Sequence, residues 1–487
     1  MDAKILETKE EFNGILEFVL TQTTGSEIHQ VEREIFRRLL RLGRSLLEVF
    51  LFSSGTGKEG SVMECPDGSI MRYQRKKVRQ YLSIFGKVTI SRAYYLGDDG
   101  KGVCPLDAKL NLPKRLYSYV LQQWMSGQAV ETTYESAAKW IQRVLGIDLA
   151  HRPVERVVLD MTDGAEEFID SLEPPPQEEE GPILVETMDR KGIPMCKPNP
   201  VQAPTPDKPG KKKMALVTAT VSIDPYERPA VEEIADRLVN EGPKTKRSKR
   251  SPRAKPHNKR IIASLTQQGS TVMNKAQDAA MNRIGPATRL KAVVADGEKS
   301  LWNFADDLFP GWIQVLDIIH VRDKLWLAAH LYYKKKSPDA KEYVRERLVA
   351  LFMGQVDLII EDFCIAMEDG SLSASKVETL RRKVLGYFVN NRDRMVYDKY
   401  LAMGLPIGSG VIEGTCKNLI NDRMERSGMR WSEEGAEAMV RLRGLFLTDL
   451  WDSFWTFRIE REKKLFYGRS PTDDIIPATA NKLHEAA

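Results

Sequence analysis

The chain has 487 residues, 42% of them hydrophobic and 29% charged, with a net charge of +5. That length exceeds one ordinary core and suits two to four domains. Five scattered cysteines, odd in number and without a CxxC pair, argue against a disulfide framework or a cysteine zinc site and for a reducing compartment. No run approaches the ~20 apolar residues of a membrane span, and the acidic start MDAKILETKEEFNG is unlike a signal peptide, so a cytoplasmic, nucleoid-associated protein without membrane contact is expected.

In chain order, Ile28, Val31, Ile35, Leu39, Leu42, Leu46 and Val49 recur every three or four residues, which predicts a long amphipathic helix with Ser26 as its N-cap. Core packing or a coiled coil with a second copy would each bury that face. Around Gly86 the pattern changes to period two in RQYLSIFGKVTISRAYY, which predicts a β-hairpin. Helices are expected from about Thr133 and from near His151, separated by Gly146. That spacing resembles a helix-turn-helix, but any helical hairpin looks the same. The acidic, proline-stiffened EPPPQEEEG at 173–181 marks the clearest domain boundary.

Beyond it, GPILVETMD predicts a strand ending at Asp189, KMALVTATVSID a second, LKAVVADG a third ending at Asp296, and WIQVLDIIH a fourth carrying Asp317. Helices lie between them, as in an α/β domain. Between the second and third strands, residues 244–260 carry nine cations and no acid. Lys244, Lys246, Arg247, Lys249 and Arg250 lead this run, which reads as an arm able to neutralise phosphates or as a solvated loop. From 321 to about 398 the pattern is wholly helical. The α/β domain then resumes with GLPIGSGVIEGTCKNLINDR, in which Gly408 and Gly410 are expected to turn the chain and Ser409 to cap a helix. A single long helix is expected over SEEGAEAMVRLRGLFLTDLWDSFW.

Asp189, Asp296 and Glu413 stand at two expected strand ends and a helix start, where α/β folds expose functional groups. Three ionised carboxylates brought together repel one another and call for divalent cations. Hard oxygen ligands suit two Mg²⁺ or Mn²⁺ ions, which serve phosphodiester chemistry. An ordinary Asp-Gly turn at Asp296 and a helix-capping or surface acid at Asp189 are the other reading of the same residues.

The wording around these acids adds a resemblance. FGKVTISRAYY, PLD at 105–107, MDRKGIPM, ADGEKSLW, LDIIHVRDKLW, RMVYDKY and GLPIGSGVIEGTCKNLINDRMERSGMRWSEEGAEAMVRLR occur in that order over about 79–444. In these the chain resembles bacterial insertion-sequence transposases with an RNase H-like DDE domain, in the Kra-type lineage related to Mutator-type transposases.

The resemblance implies Asp189 and Asp296 as the catalytic aspartates and Glu413 as the catalytic glutamate after an all-helical insertion. Asp317 and His320 match a D-x-x-H signature, making Asp317 the rival of Asp296, although a hydrogen-bonded structural pair is the other reading. It also implies cleavage at the terminal repeats of an element and joining to target double-stranded DNA, performed by a homodimer. Arg322, Lys417, Arg426, Arg430 and Trp431 are candidate DNA contacts, against ion pairing for the cations and core packing for Trp431. Many relatives carry paired cysteines before PLD, whereas this chain keeps only Cys104.

The expected layout is therefore amphipathic helices over 1–75, a hairpin and helix-turn-helix-like DNA-binding region over 76–172, and a linker over 173–181. An RNase H-like α/β core follows over 182–320 with a basic arm at 244–260, then an all-α insertion over 321–400, the rest of the core over 401–465, and a tail over 466–487. A structure-directed nuclease on the same fold and a catalytically inert DNA-binding protein are the rival readings.

Overall fold

The computed structural model describes residues 2–21, 25–64, 69–196, 212–240, 256–335 and 337–468. Two compact units emerge, one taking in the chain up to Gly164 together with the helix Trp451–Tyr467, the other spanning residues 165–450. Most of the basic run, including Lys244, Lys246, Arg247, Lys249 and Arg250, lies outside the described residues, as does most of the expected tail.

In the first unit, helices Asp2–Thr21 and Ile28–Ser53 pack against each other. The second of these starts one residue later than expected, with Glu27 rather than Ser26 at the N-cap and no side-chain cap there. A four-stranded antiparallel sheet follows in the order β1 Val62–Glu64, β2 Ile70–Ser83, β3 Gly86–Gly97 and β4 Gly102–Val103. Its long β2–β3 hairpin is the one that the period-two pattern predicted. Next come helices Tyr119–Glu131, Tyr134–Leu145 and His151–Asp160. The Thr133 hydroxyl accepts the Ser136 N–H at the start of the middle helix, and Gly146, at φ +69°, ends it, as the sequence predicted.

The second unit is mixed α/β. Its five-stranded sheet runs β7–β6–β5–β8–β9, formed by β5 Ile183–Pro194, β6 Lys212–Ile223, β7 His257–Ser264, β8 Leu290–Ala295 and β9 Ile313–Leu316. β6 is antiparallel to both β5 and β7, whereas β5, β8 and β9 are mutually parallel. Central strands buried on both faces read as continuous apolar runs, which explains AVVA and ALVTATV.

Glu186 of β5 is fully buried. Burial pushes its carboxyl up to about 8, although the Thr220 hydroxyl donates to it at 2.6 Å. Arg283, also fully buried, meets Glu180 through two 2.7 Å contacts and donates to the carbonyls of Thr220 and Asn258. Glu180 is thus not a solvated linker acid but part of a buried ion pair where β5 begins. Lys259 and Arg260, read from sequence as the end of a basic arm, are residues of β7, and Arg260 donates to the Glu173 carbonyl.

Helices run from Ile318–Tyr332 to Tyr397–Ala402, as the helical pattern predicted. Two tyrosines of this region, Tyr397 and Tyr400, donate to the Leu316 and Gln314 carbonyls at 2.8 and 2.6 Å, satisfying the outer edge of β9. The single long helix expected near the end is two. Asp449, at φ +56°, breaks it between Glu433–Phe446, which lies on β7, and Trp451–Tyr467, which packs within the first unit.

Candidate active site

β5 and β8 pair in parallel up to Met188 opposite Ala295. Asp189 and Asp296 are the next residue on each strand, so they emerge side by side, about 4.8 Å apart in backbone spacing. β5 does not stop at Asp189 as expected. It continues to Pro194 because β6 still pairs with it, so Asp189 ends one ladder in the middle of another.

Asp296 accepts the Glu298 N–H at 2.9 Å. Burial raises the pKa of its carboxyl, and the Asp189 and Glu298 charges add to the rise, while the Glu298 N–H and His320 pull against it. Asp189 accepts the Arg190 N–H at 2.6 Å, and the Cys416 thiol hydrogen-bonds to it. Arg190 forms an ion pair with Glu298 at 3.0 Å across the two strands. Gly297 is required here, because a Cβ would lie 2.1 Å from the Tyr387 ring.

Asp317 is not inside a strand but is the N-cap of helix Ile318–Tyr332. Its carboxylate accepts the Ile319 N–H at 2.9 Å, the Ser409 hydroxyl at 2.5 Å and His320 Nδ1 at 2.9 Å. Burial pushes its pKa up, but these hydrogen bonds outweigh it and hold the carboxyl below the usual range. The bond to Asp317 raises the pKa of His320, and the charges of Asp317, Asp296 and Asp189 act the same way. The His320 imidazole thus stands beside the aspartate pair, held by a hydrogen bond to an Asp317 carboxylate that is engaged by three donors.

Ser409 is at the N-cap position of helix Gly410–Cys416 but does not cap it, because its hydroxyl is taken by Asp317. Nor do Gly408 and Gly410 take left-handed backbone. The turn falls at Gly404, φ +70°, where a Cβ would lie 2.8–3.0 Å from Pro225 and the Tyr226 nitrogen. The helix continues through a π-turn, Lys417–Asn421, to Asp422–Met424. Ile412, Cys416, Leu419 and Ile420 are buried as the pattern predicted, and the helix lies on β5 and β6. Each such aliphatic side chain contributes about 1.5–3 kcal/mol on burial, enough to fix where the helix sits.

Glu413 is on this helix, exposed, and its side chain makes no hydrogen bond or ion pair among the described residues. The structure brings together Asp189, Asp296 and His320 and lays the Glu413 helix over the Asp189 strand. Among the described residues, no three His, Cys, Asp or Glu side chains are gathered closely enough to hold a metal ion.

The remaining candidates divide. Trp431 is 6% exposed, donates from Nε1 to the Met424 carbonyl at 3.0 Å and lies under the Arg423 guanidinium. Its backbone bonds to Pro194 and Cys196 extend the β5 edge. Trp431 is therefore a core residue and not a surface for a base. Arg322 is buried and pairs with Asp323 at 2.9 Å. Lys417, Arg426 and Arg430 are exposed and remain open to a partner. An open cleft of about 510 Å³, lined by Gln314, Arg392, Arg394 and Lys399, runs along β9 and does not include the aspartates.

No protein-family profile matches the chain, and no curated protein matches it. Among solved structures, it is similar to the Drosophila P element transposase strand transfer complex, with 10% identity over 72% of this chain and 82% of that one and a TM-score of 0.26.

Proposed function

We propose that the chain is a DNA transposase of the DDE type, whose second unit is an RNase H-like catalytic domain. It would bind terminal inverted repeats, cut phosphodiester bonds at the element ends and join the 3′-hydroxyls to target DNA. The observation that carries this reading is the placement of Asp189 and Asp296 on adjacent parallel strands, with the Glu413 helix packed on β5. The strand order β7–β6–β5–β8–β9, with only β6 reversed among the five, supports the RNase H-like assignment.

Burial, with the Asp189 and Glu298 charges beside it, raises the pKa of Asp296, a cost to its charged form that a bound cation would compensate. The hard oxygens of these carboxylates fit Mg²⁺ or Mn²⁺, with Glu413 as the further oxygen donor. Two such ions, when bound, activate the attacking oxygen and stabilise the leaving one. The protein's own part is to hold these oxygens on a rigid sheet end. Asp317 orients His320, whose pKa is raised chiefly by that hydrogen bond and which stands where it could contact a phosphate oxygen. The helices around Gly146 and the β2–β3 hairpin are proposed to read the repeats.

Incubation with labelled element ends, Mg²⁺ and a plasmid separates the outcomes. Joined products support transposition, nicks alone indicate a nuclease, and mere retardation indicates an inert DNA-binding protein.

A further inference from the structure

The β2–β3 hairpin has one covered face and one bare face. Between Ile70 and Gly97 the chain carries seven cations and no acid. β1 and β4 pair only with the base of the hairpin, at 70–72 and 95–96, so the rest is a two-stranded ribbon. Directly paired residues share a face of such a ribbon. On the covered face Val88 and Ile90 are each 1% exposed and pack with Leu51, Leu106 and Leu112. Arg79 and Arg92, on that same face, share Asp107. At the tip the Phe85 ring lies against Gly43, where a Cβ would stand 2.5 Å from it. The ribbon is thus held along helix Ile28–Ser53.

On the other face the pairs Leu82–Lys87, Gln80–Thr89, Val78–Ser91 and Lys76–Ala93 follow one another from tip to base. Lys76, Val78, Gln80, Lys87, Thr89 and Ser91 are all exposed, Val78 by 64%. Lys76 and Lys87 make no ion pair among the described residues, unlike Arg79 and Arg92 behind them. The Thr89 hydroxyl donates to Gln80 over a long 3.4 Å, so the Gln80 amide keeps both a donor and an acceptor for a partner.

The two lysines stand six residues apart along the ladder, about 20 Å at about 3.4 Å per residue. Between them lie hydrogen-bonding side chains and one aliphatic group. A second copy does not suit this face, because two cationic surfaces without acids repel. The major groove of duplex DNA, about 12 Å wide, admits a two-stranded ribbon. We propose that this face enters the major groove, where Gln80, Thr89 and Ser91 hydrogen-bond to base edges, Val78 meets a thymine methyl, and Lys76 and Lys87 hold the flanking phosphates. An amide pairs with adenine through two bonds and hydroxyls serve any base, whereas phosphate contacts fix register without reading sequence. The role depends on duplex DNA being the substrate, as proposed above, and assigns sequence readout to six exposed side chains of the first unit.

Selection from a pool of random duplexes by the full chain, followed by titration of the selected duplex and a shuffled one, tests this. The wild type is expected to enrich a sequence motif. Gln80→Ala/Thr89→Ala/Ser91→Ala is expected to lose at least about tenfold in preference for the selected duplex, with affinity for the shuffled one unchanged. Lys76→Gln/Lys87→Gln is expected to weaken both alike and keep the preference. A triple variant with the wild-type preference overturns the proposal, as does a wild type that binds without sequence preference or favours single strands. Should the triple variant lose its cooperative thermal transition, the single variants Gln80→Ala and Thr89→Ala decide. A motif altered at particular base pairs upholds the role, and an unaltered motif overturns it. Strand joining scored in parallel separates the two readings: a wild type that selects a motif through these residues but never joins contradicts the transposase and leaves the ribbon's role standing.

Discussion

Asp296 and Asp317 sit 21 residues apart at successive strand ends, yet their surroundings give them different work. Asp317 is enclosed by the Ile319 N–H, Ser409 and His320, with its side chain 1% exposed. Removing a buried charge that holds three donors costs about 2–4 kcal/mol, so Asp317→Asn is expected to lower the unfolding midpoint in denaturant. Asp296 loses a burial penalty on neutralisation. Asp296→Asn is therefore expected to leave stability unchanged or slightly higher while abolishing joining. An Asp296→Asn variant that still joins, beside an inactive but stable Asp317→Asn, would reverse the assignment.

Glu186 gives a separate residue-level test in pH. Its folded value, about 8, exceeds the ordinary 4.5, so the proton is held more tightly in the folded chain. Below pH 4.5 both states are protonated and the contribution is complete. As pH rises towards 8 the unfolded chain ionises first and that contribution is lost, at up to about 1.4 kcal/mol per pH unit. Glu186→Gln is expected to flatten the decline of stability between pH 5 and 8, and an unchanged slope would show that Glu186 is not its source.

At the scale of the element, the helix carrying Glu413 is held by its buried side and by the Trp431 segment that follows. Trp431→Ala is expected to cost about 3–5 kcal/mol. Trp431→Phe, which keeps an aromatic ring but loses the bond to Met424, is expected to cost about 1 kcal/mol and leave DNA affinity unchanged. A large fall in affinity with Trp431→Phe would restore the base-stacking reading. The sequence misled here because an aromatic among Arg426 and Arg430 looks like a stacking platform, whereas its cation partner, Arg423, covers it from within.

Asp317 was misplaced for a related reason. In IQVLDIIH the apolar residues run from strand into helix without a break, and periodicity over so short a run does not distinguish the two. Asp296 was legible because an apolar strand stops at an Asp-Gly pair. Ser409 failed as a cap because its hydroxyl's partner is 92 residues away, a pairing that local pattern cannot reveal.

At the scale of the molecule, the chain forms two compact units, the second built on a mixed five-stranded sheet. What the sequence did not reveal were long-range closures: the Arg283–Glu180 pair, 103 residues apart, and the return of the last helix to the first unit. The basic run supplies a molecular prediction of its own. Between 241 and 255 lie seven cations. Replacing them with glutamine is expected to weaken DNA binding uniformly across sequences and reduce the salt slope, by about 0.9 for each phosphate that is no longer neutralised. An unchanged slope in a binding titration would make that run a solvated loop.

Asp189, Asp296 and Glu413 are proposed to act as one site although they lie more than 100 residues apart in the chain. Glu413 is the exposed member, and its replacement leaves the core intact. The decisive assay is therefore strand joining by Glu413→Gln, in the same preparation that is scored for retardation of element ends. Retained retardation is expected, with joining reduced at least about 10²-fold, the scale of losing one stabilising group in a transition state. Joining at the wild-type rate by Glu413→Gln would place Glu413 outside the site and leave the aspartate pair without its third acid.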